Sequence, residues 1–349
     1  MNFESKDFSF RDVDQTVIIA ELGVNHNGDV QTAKKMVDAA IKAGAHIIKF
    51  QAFRSEKEIS RFAAKAPYQQ ETTSTKGTQL EMCQALELSA SDLKELKNYC
   101  AVKKWPFLCA AFDFESVDLL VDVLRVETIK VASSEVTNIP FLQYIGSKKK
   151  GVILSTGASA LHEVGRAIET LQASGCPELI LFHCVSSYPV PHAEVNLRAM
   201  LTLKNAFGLP VGFSDHTIGT ASAIAAAALG ACAIEKHFTL DRTMVGPDHR
   251  ASIEPDDLAE MVNGVRIANI SLGSPLKQPA PCEMPNLALI RKSLVAARSL
   301  KKGTRLTRDL IEMKRPLGGI EPMDLEKVLG LTLTKDVEED MFLTWQDLR

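Results

Sequence analysis

Two short stretches end an apolar run in a histidine with acidic and hydroxyl neighbours: FSDHT, Phe213 to Thr217, and IEKHFT, Ile234 to Thr239. A buried strand has this pattern when its last residues are reserved for chemistry. Neutral imidazole binds mid-row divalent ions, and two protein ligands leave positions open for water and substrate. His216 and His237 are therefore a candidate pair for one Mn2+, with Mg2+ or Co2+ as the other ions such a site would take. The alternative for either histidine is a hydrogen-bonded side chain at the mouth of the fold. His183 and His249 are weaker candidates, and His26 is placed to cap the loop VNHNGD.

Two lysines, in HIIKF and TIKVA, also end apolar runs. There an ammonium is costly unless paired. Lys49 and Lys130 would hold a phosphate or carboxylate, aided by the hydroxyls of Ser133, Ser155 and Ser214; the alternative is a salt bridge to Glu21, Glu135 or Glu235. Glu21 and Glu135 are candidates for a general base or for orienting a metal-bound water.

The elements that must position these residues alternate between β-branched apolar runs and amphipathic segments. Strands are expected at 16–23, 46–53, 106–113, 127–135, 151–157 and 178–189, followed by PVGFSDHT and ACAIEKHFT; helices are expected at 30–43, 116–124, 160–173 and 255–272, in the alanine-rich tract from Ala221, and after an N-cap at Ser89. A long polar stretch up to Leu88 contains APYQQETTSTKGTQLEM, and loops of that length are usually functional. About eight strand–helix units in ~270 residues predict an α/β (β/α)8 TIM barrel. A doubly wound sheet is the runner-up, and no GxGxxG follows a strand to support its dinucleotide-binding form. At the carboxyl ends of the barrel strands fall Glu21, Lys49 with Gln51, Lys130 with Ser133 and Glu135, Ser155, Ser186 with Tyr188, Asp215 with His216, and Glu235 with His237.

The barrel is expected over residues 1–275. A proline-rich linker whose composition resists helix follows over 276–287, then a small basic domain over 288–349 that packs on the barrel or on a second subunit. With 349 residues, 24% of them charged and a net charge of -3, the chain has no basic field to recruit nucleic acid or an anionic membrane. The longest apolar tract is too short to span a bilayer, and the charged amino terminus lacks the apolar core of a secretory signal. Seven scattered cysteines without a CxxC pair read as reduced, mostly buried thiols of a cytoplasmic protein.

Across the full length, AELGVNHNGD, KFQAF, IKVASSE, ILSTGAS, HCVSSYPVP, GFSDHT, IEKHFT, GPDH, KKGTRLTRDLI and KRP make the chain resemble the sialic acid synthases. The resemblance implies condensation of phosphoenolpyruvate with N-acetylmannosamine, or a related N-acylated amino sugar, and water to give N-acetylneuraminate or a related nonulosonic acid plus phosphate, a transferase of class EC 2.5.1. The alternative product is legionaminic or pseudaminic acid, made from a 2,4-diacetamido-2,4,6-trideoxyhexose.

By the same resemblance, His216 and His237 bind the metal that polarises the sugar aldehyde. Phosphoenolpyruvate lies against Lys49, Lys130, Ser133, Ser155, Ser186 and Ser214, and Glu21 and Glu135 steer water. Gln51, Tyr188, Glu235 and Asp248 contact the sugar. The tail resembles the antifreeze-like (SAF, β-clip) domain of these synthases, so a domain-swapped homodimer is implied in which Arg315 completes the neighbour's site. Two positions depart from the family: Ala110 stands for a phosphoenolpyruvate-contacting threonine, and Ser186 for an asparagine found in some members. Two other functions compete, a metal-dependent aldolase or hydrolase without phosphoenolpyruvate, and a degenerate barrel carrying a binding module.

Overall fold

The computed structural model describes residues 16–73 and 77–349. The amino-terminal stretch that bears on a secretory signal lies outside the described residues. The chain divides into two compact units, with the boundary between Gly273 and Ser274.

The first unit is a closed parallel barrel of eight strands in sequence order: β1 Val17–Gly23, β2 Ile47–Ala52, β3 Phe107–Ala111, β4 Thr128–Val131, β5 Gly151–Ser155, β6 Leu179–Cys184, β7 Val211–Asp215 and β8 Ala233–His237. Side chains alternate between two environments along each strand. In β1, Ile18, Ala20 and Leu22 pack outward against the helices, while Val17 and Ile19 join Ile47, Leu108, Ile153, Ile180, Phe182 and Ala233 inside the barrel. Phe182 fills that interior because β7 carries a glycine beside it. A Cβ on Gly212 would sit 2.5 Å from the Phe182 ring.

Above this apolar plug the same inward faces turn polar. Register places Glu21 opposite both Lys49 and His237, Ser214 opposite Glu235, and Ala110 opposite Lys130. Composition thus divides the barrel into a dry lower half and a charged upper half at the strands' carboxyl ends.

Several boundaries differ from the sequence reading. β4 stops at Val131 and a 3-10 turn runs over Ser133–Glu135. β6 stops at Cys184, ahead of Pro189 and Pro191, which have no N–H for a ladder. The expected long loop after β2 is instead three short helices. After α1, Val30–Lys42, come α2, Ser55–Glu58, α3, Pro67–Thr73, and α4, Gln79–Gln84. Thr78 and Glu81 close a capping box at the start of α4. Ser89 caps α5, Ala90–Val102, as expected, with Asp92 completing its box.

The second unit pairs two antiparallel strands, β9 Ser293–Ala296 and β10 Ile311–Lys314, around a small core that includes Leu294, Leu306, Ile311, Val328 and Leu343. Helix forms over Met284–Ile290, where the prolines led us to expect none. Pro285 is tolerated because it lies in the first turn, whose N–H groups have no intrahelical partner. Of the cysteines, Cys100, Cys109 and Cys184 are buried, Cys282 is exposed, and none is in a disulfide. Among the described residues no helix is long and apolar enough to cross a membrane.

Candidate active site

At the carboxyl ends of the barrel strands opens a cavity of about 310 Å3. Its floor is a chain of alternating charges. Lys49 Nζ lies 3.0 Å from Glu21 Oε2 and 3.1 Å from Glu235 Oε1, and Lys130 Nζ lies 3.5 Å from Glu235 Oε2. Lys130 also donates to Ser155 Oγ at 2.5 Å, and Ser214 donates to Glu235 at 3.2 Å. Gln51 donates to Glu21 at 2.7 Å. Each lysine offered two readings from sequence, salt bridge or anion seat, and the structure puts the salt bridges at the base of a pocket.

The electrostatics follow from the burial. Burial opposes the charge on Lys49, but Glu21 and Glu235 outweigh it and raise its pKa to about 12. For Lys130 burial wins over Glu235, with Lys49 adding repulsion, and the pKa falls. Burial works against the Glu235 carboxylate, yet Lys130 and Lys49 hold it well below the usual glutamate range. A further anion beside Lys130 would favour its charged form.

His216 and His237 stand over this floor with ring centroids 5.4 Å apart. His216 Nδ1 is 2.8 Å from the Val185 carbonyl, which can only accept, so Nδ1 carries the proton and Nε2 keeps its lone pair. Nδ1 of His237 is buried without a hydrogen bond, its nearest charged neighbour being Asp248 Oδ2 at 3.5 Å. Burial lowers both pKa values to about 3, the neighbouring His237 ring adding to the effect on His216 and the Lys49 ammonium to that on His237. Two neutral imidazoles with available nitrogens fit a divalent ion. Among the described residues no third His, Cys, Asp or Glu converges on them, so water or substrate would fill the remaining positions. The Tyr188 ring packs 4.2 Å from that of His216.

Of the residues singled out from sequence, Gln51, Lys130, Ser133, Ser155, Ser186, Tyr188, Ser214, His216, Glu235, His237 and Asp248 line the cavity, and Glu21 and Lys49 lie buried against them. Glu135 does not line it; its carboxylate accepts from Ser134 Oγ at 2.8 Å and Asn138 Nδ2 at 2.7 Å because the 3-10 turn carries it away. Nor does Asp215, although it shares a strand end with His216. It points to the other face, where it pairs with Lys236 at 2.7 Å. Ala110 is buried in β3 and leaves the lining to Phe112. Arg315 belongs to the second unit and is exposed just beyond β10.

Sequence reasoning missed Glu58, Tyr68, Gln69 and Gln79, which also line the cavity. All four sit in the polar stretch after β2, where sequence reasoning named no individual residue. Burial of the Glu58 carboxyl, with repulsion from Glu135 and Asp113, raises its pKa to about 7 although the residue remains exposed to solvent overall.

The profile of the NeuB family matches residues 36–277, and that of the SAF domain matches residues 291–349. The chain is 45% identical over 328 residues to N,N'-diacetyllegionaminic acid synthase of Campylobacter jejuni, covering 93% of this chain and 98% of that one. It is 36% identical over 326 residues to human N-acetylneuraminate-9-phosphate synthase, covering 93% and 90%. Among solved structures, the N-acetylneuraminic acid synthetase of Leptospira borgpetersenii in complex with citrate superposes with a TM-score of 0.70 at 33% identity, covering 81% of this chain and 95% of that one.

Proposed function

The chain belongs to the NeuB family, and from that premise we propose that it condenses phosphoenolpyruvate with an N-acylated amino sugar of the mannosamine type and water, giving a nonulosonic acid and inorganic phosphate. The observation that carries this reading is the pairing of a buried lysine–serine seat, Lys130 with Ser155 at 2.5 Å, with two neutral histidines above it in one cavity. The first suits an anionic substrate and the second a metal-polarised carbonyl.

In this reading Lys130 and Lys49, with Ser133, Ser155, Ser186 and Ser214, hold phosphoenolpyruvate with its C3 toward the sugar aldehyde. A divalent ion, Mn2+ first among the candidates, would be held by His216 and His237 and would polarise that aldehyde. C3 attacks the aldehyde carbon, water adds to the cationic C2 and passes one proton to the former aldehyde oxygen, which becomes the new hydroxyl; the C2 hydroxyl then collapses to the ketone, its proton leaving with the phosphate by C–O cleavage. Glu21, already bridged to Gln51 and Lys49, steers the water. Glu135, turned to Ser134 and Asn138, positions the turn that carries Ser133.

Tyr188, Gln51 and Asp248 face the same space and are proposed to orient the sugar. We further propose that the second unit completes the site of a partner in a domain-swapped homodimer, Arg315 binding the sugar's N-acyl group. An aldolase or a degenerate barrel would leave Lys49 and Lys130 as structural ion pairs, and sugar-dependent phosphate release separates those readings from the condensation.

The test is to incubate purified protein with Mn2+, phosphoenolpyruvate and a panel of N-acylated amino sugars, following phosphate release and identifying the keto acid by mass. Release that depends on the sugar supports the reading. No release with any of them refutes it.

A further inference from the structure

The charged side chains over 54–58 have partners, with one exception. Arg54 pairs with Glu87 at 3.7 Å, Lys57 with Glu115 at 3.2 Å, and Glu56 accepts from Gln84 Nε2 at 3.0 Å. The backbone is fastened too, the Arg54 N–H donating to Asp113 Oδ2 at 2.8 Å and the Ser55 N–H to Glu87 Oε1 at 2.7 Å. Glu58, the last residue of α2, instead lines the cavity, and among the described residues no cation or hydrogen-bond donor meets its carboxylate.

That position is costly for a charge. Glu58 acts on the Cys83 thiol more strongly than any other charge does, and Cys83 packs in an apolar cluster with Phe53, Met82, Leu86 and Phe112 that also lines the cavity. A carboxylate among such side chains is stable only when donors meet it. Water can supply them while the cavity is open; a bound substrate that displaces the water must supply them instead.

The carboxylates that repel Glu58 are Glu135, after β4, and Asp113, after β3, so it stands over that sector of the barrel. Strand order puts β3 and β4 across from β7 and β8, whose ends carry His216 and His237. Phosphoenolpyruvate, itself anionic, offers a carboxylate only repulsion. An open-chain sugar with its aldehyde at the histidines has hydroxyl and amide N–H groups left to offer.

We propose that Glu58 is a sugar-binding residue whose carboxylate accepts hydrogen bonds from hydroxyl or amide N–H groups on the part of the open-chain sugar remote from the aldehyde. The inference rests on the sugar-condensing reading above and deepens it. Donors from the sugar would favour the charged form that burial opposes.

Two variants test it: Glu58→Leu keeps most of the bulk and removes the acceptor, and Glu58→Gln keeps a neutral acceptor. Each is assayed as the full chain with Mn2+, phosphoenolpyruvate and N-acetylmannosamine, or the sugar of the panel above that wild type turns over. Loss of a hydrogen bond to a charged group should lower kcat/KM for the sugar by ~10- to 100-fold in Glu58→Leu. Glu58→Gln should lose about 3- to 10-fold, and it decides alone where Glu58→Leu does not fold. In both, the KM for phosphoenolpyruvate should stay within about 2-fold of wild type, and Tm at neutral pH should not fall, because the carboxyl removed had no partner in the protein.

A sugar kcat/KM within about 2-fold of wild type in the folded variants, both KM values rising together, or a loss of Tm that tracks the loss of activity would overturn the inference while leaving the condensation reading intact. Absence of sugar-dependent phosphate release by wild type with every sugar would instead remove the reading on which it rests.

Discussion

Replacing Lys236 by methionine tests whether the histidine pair is held from behind. Lys236 and Asp215 have side chains 1% and 0% exposed, with Nζ 2.7 Å from Oδ2. Nζ also donates to the Thr217 carbonyl at 2.7 Å, and the Thr217 N–H donates to Asp215 Oδ1 at 2.9 Å. Each partner sits one residue from a histidine, so a single buried ion pair ties the strand ends carrying His216 and His237. Lys236→Met strands a buried carboxylate, which costs about 3–5 kcal/mol and lowers Tm by roughly 6–15 °C in a unit of this size.

Adding Asp215→Asn removes the stranded charge and keeps an acceptor for Thr217, so the double variant should regain at least half of that loss. If His216 and His237 hold Mn2+ as proposed, affinity for the ion in the double variant, read by calorimetry or by the spin-resonance signal of free ion, should still fall, because the strand ends that carry them lose their tie. Unchanged Mn2+ binding in the double variant, with wild type binding the ion, would reduce the pair to a packing device. A single variant that loses under ~1 kcal/mol would refute the burial argument itself.

Three further outcomes follow from the geometry. A Cβ at Gly157 would lie 2.3 Å from Ser186 Oγ, 2.9 Å from Cys184 Sγ and 3.0 Å from Ser133 Oγ; Gly157→Ala should raise the KM for phosphoenolpyruvate by ~10-fold or more with little change in Tm, and an unaltered KM would free those serines of that role. Glu58 has a folded-state pKa near 7, above the ordinary 4.5, so the folded chain binds the extra proton between those values and the associated stability is lost as pH rises through that window. Relative to wild type, Glu58→Gln should gain stability from pH 4.5 to 7, and denaturant titrations with parallel pH profiles would contradict this. Arg315→Ala should raise the sugar KM at least ~10-fold with the phosphoenolpyruvate KM unchanged; equal effects on both would make it a surface residue.

The barrel was legible because each inward position obeys a period of two over an apolar run, and two histidines closing such runs could share one face. The same rule shows why Asp215 had to be elsewhere: it lies between Ser214 and His216 on β7, so when those two face inward it faces outward, as Lys236 does between Glu235 and His237. Glu135 escaped the rule because β4 ends first, and a 3-10 turn has no alternation to extrapolate. Tyr68, Gln69 and Gln79 were out of reach because α3 and α4, at 7 and 6 residues, are too short to display a helical period.

What no periodicity can supply is the joint role of the floor. Sequence offered salt bridge or anion seat for each lysine as alternatives, whereas Glu235 sits between Lys49 and Lys130 and makes them consequences of one arrangement. Lys49, flanked by two carboxylates, is fixed as a cation. Lys130, with the weaker 3.5 Å ion pair, holds its charge least securely and gains most from an arriving anion. In the proposed reading Lys130 is then the more responsive half of the anion seat, while Lys49 serves the same seat and also holds Glu21 and Glu235 in place. Lys130→Gln should therefore act chiefly on the KM for phosphoenolpyruvate, and Lys49→Gln on that KM and on stability together, with two carboxylates left buried beside an uncharged amide.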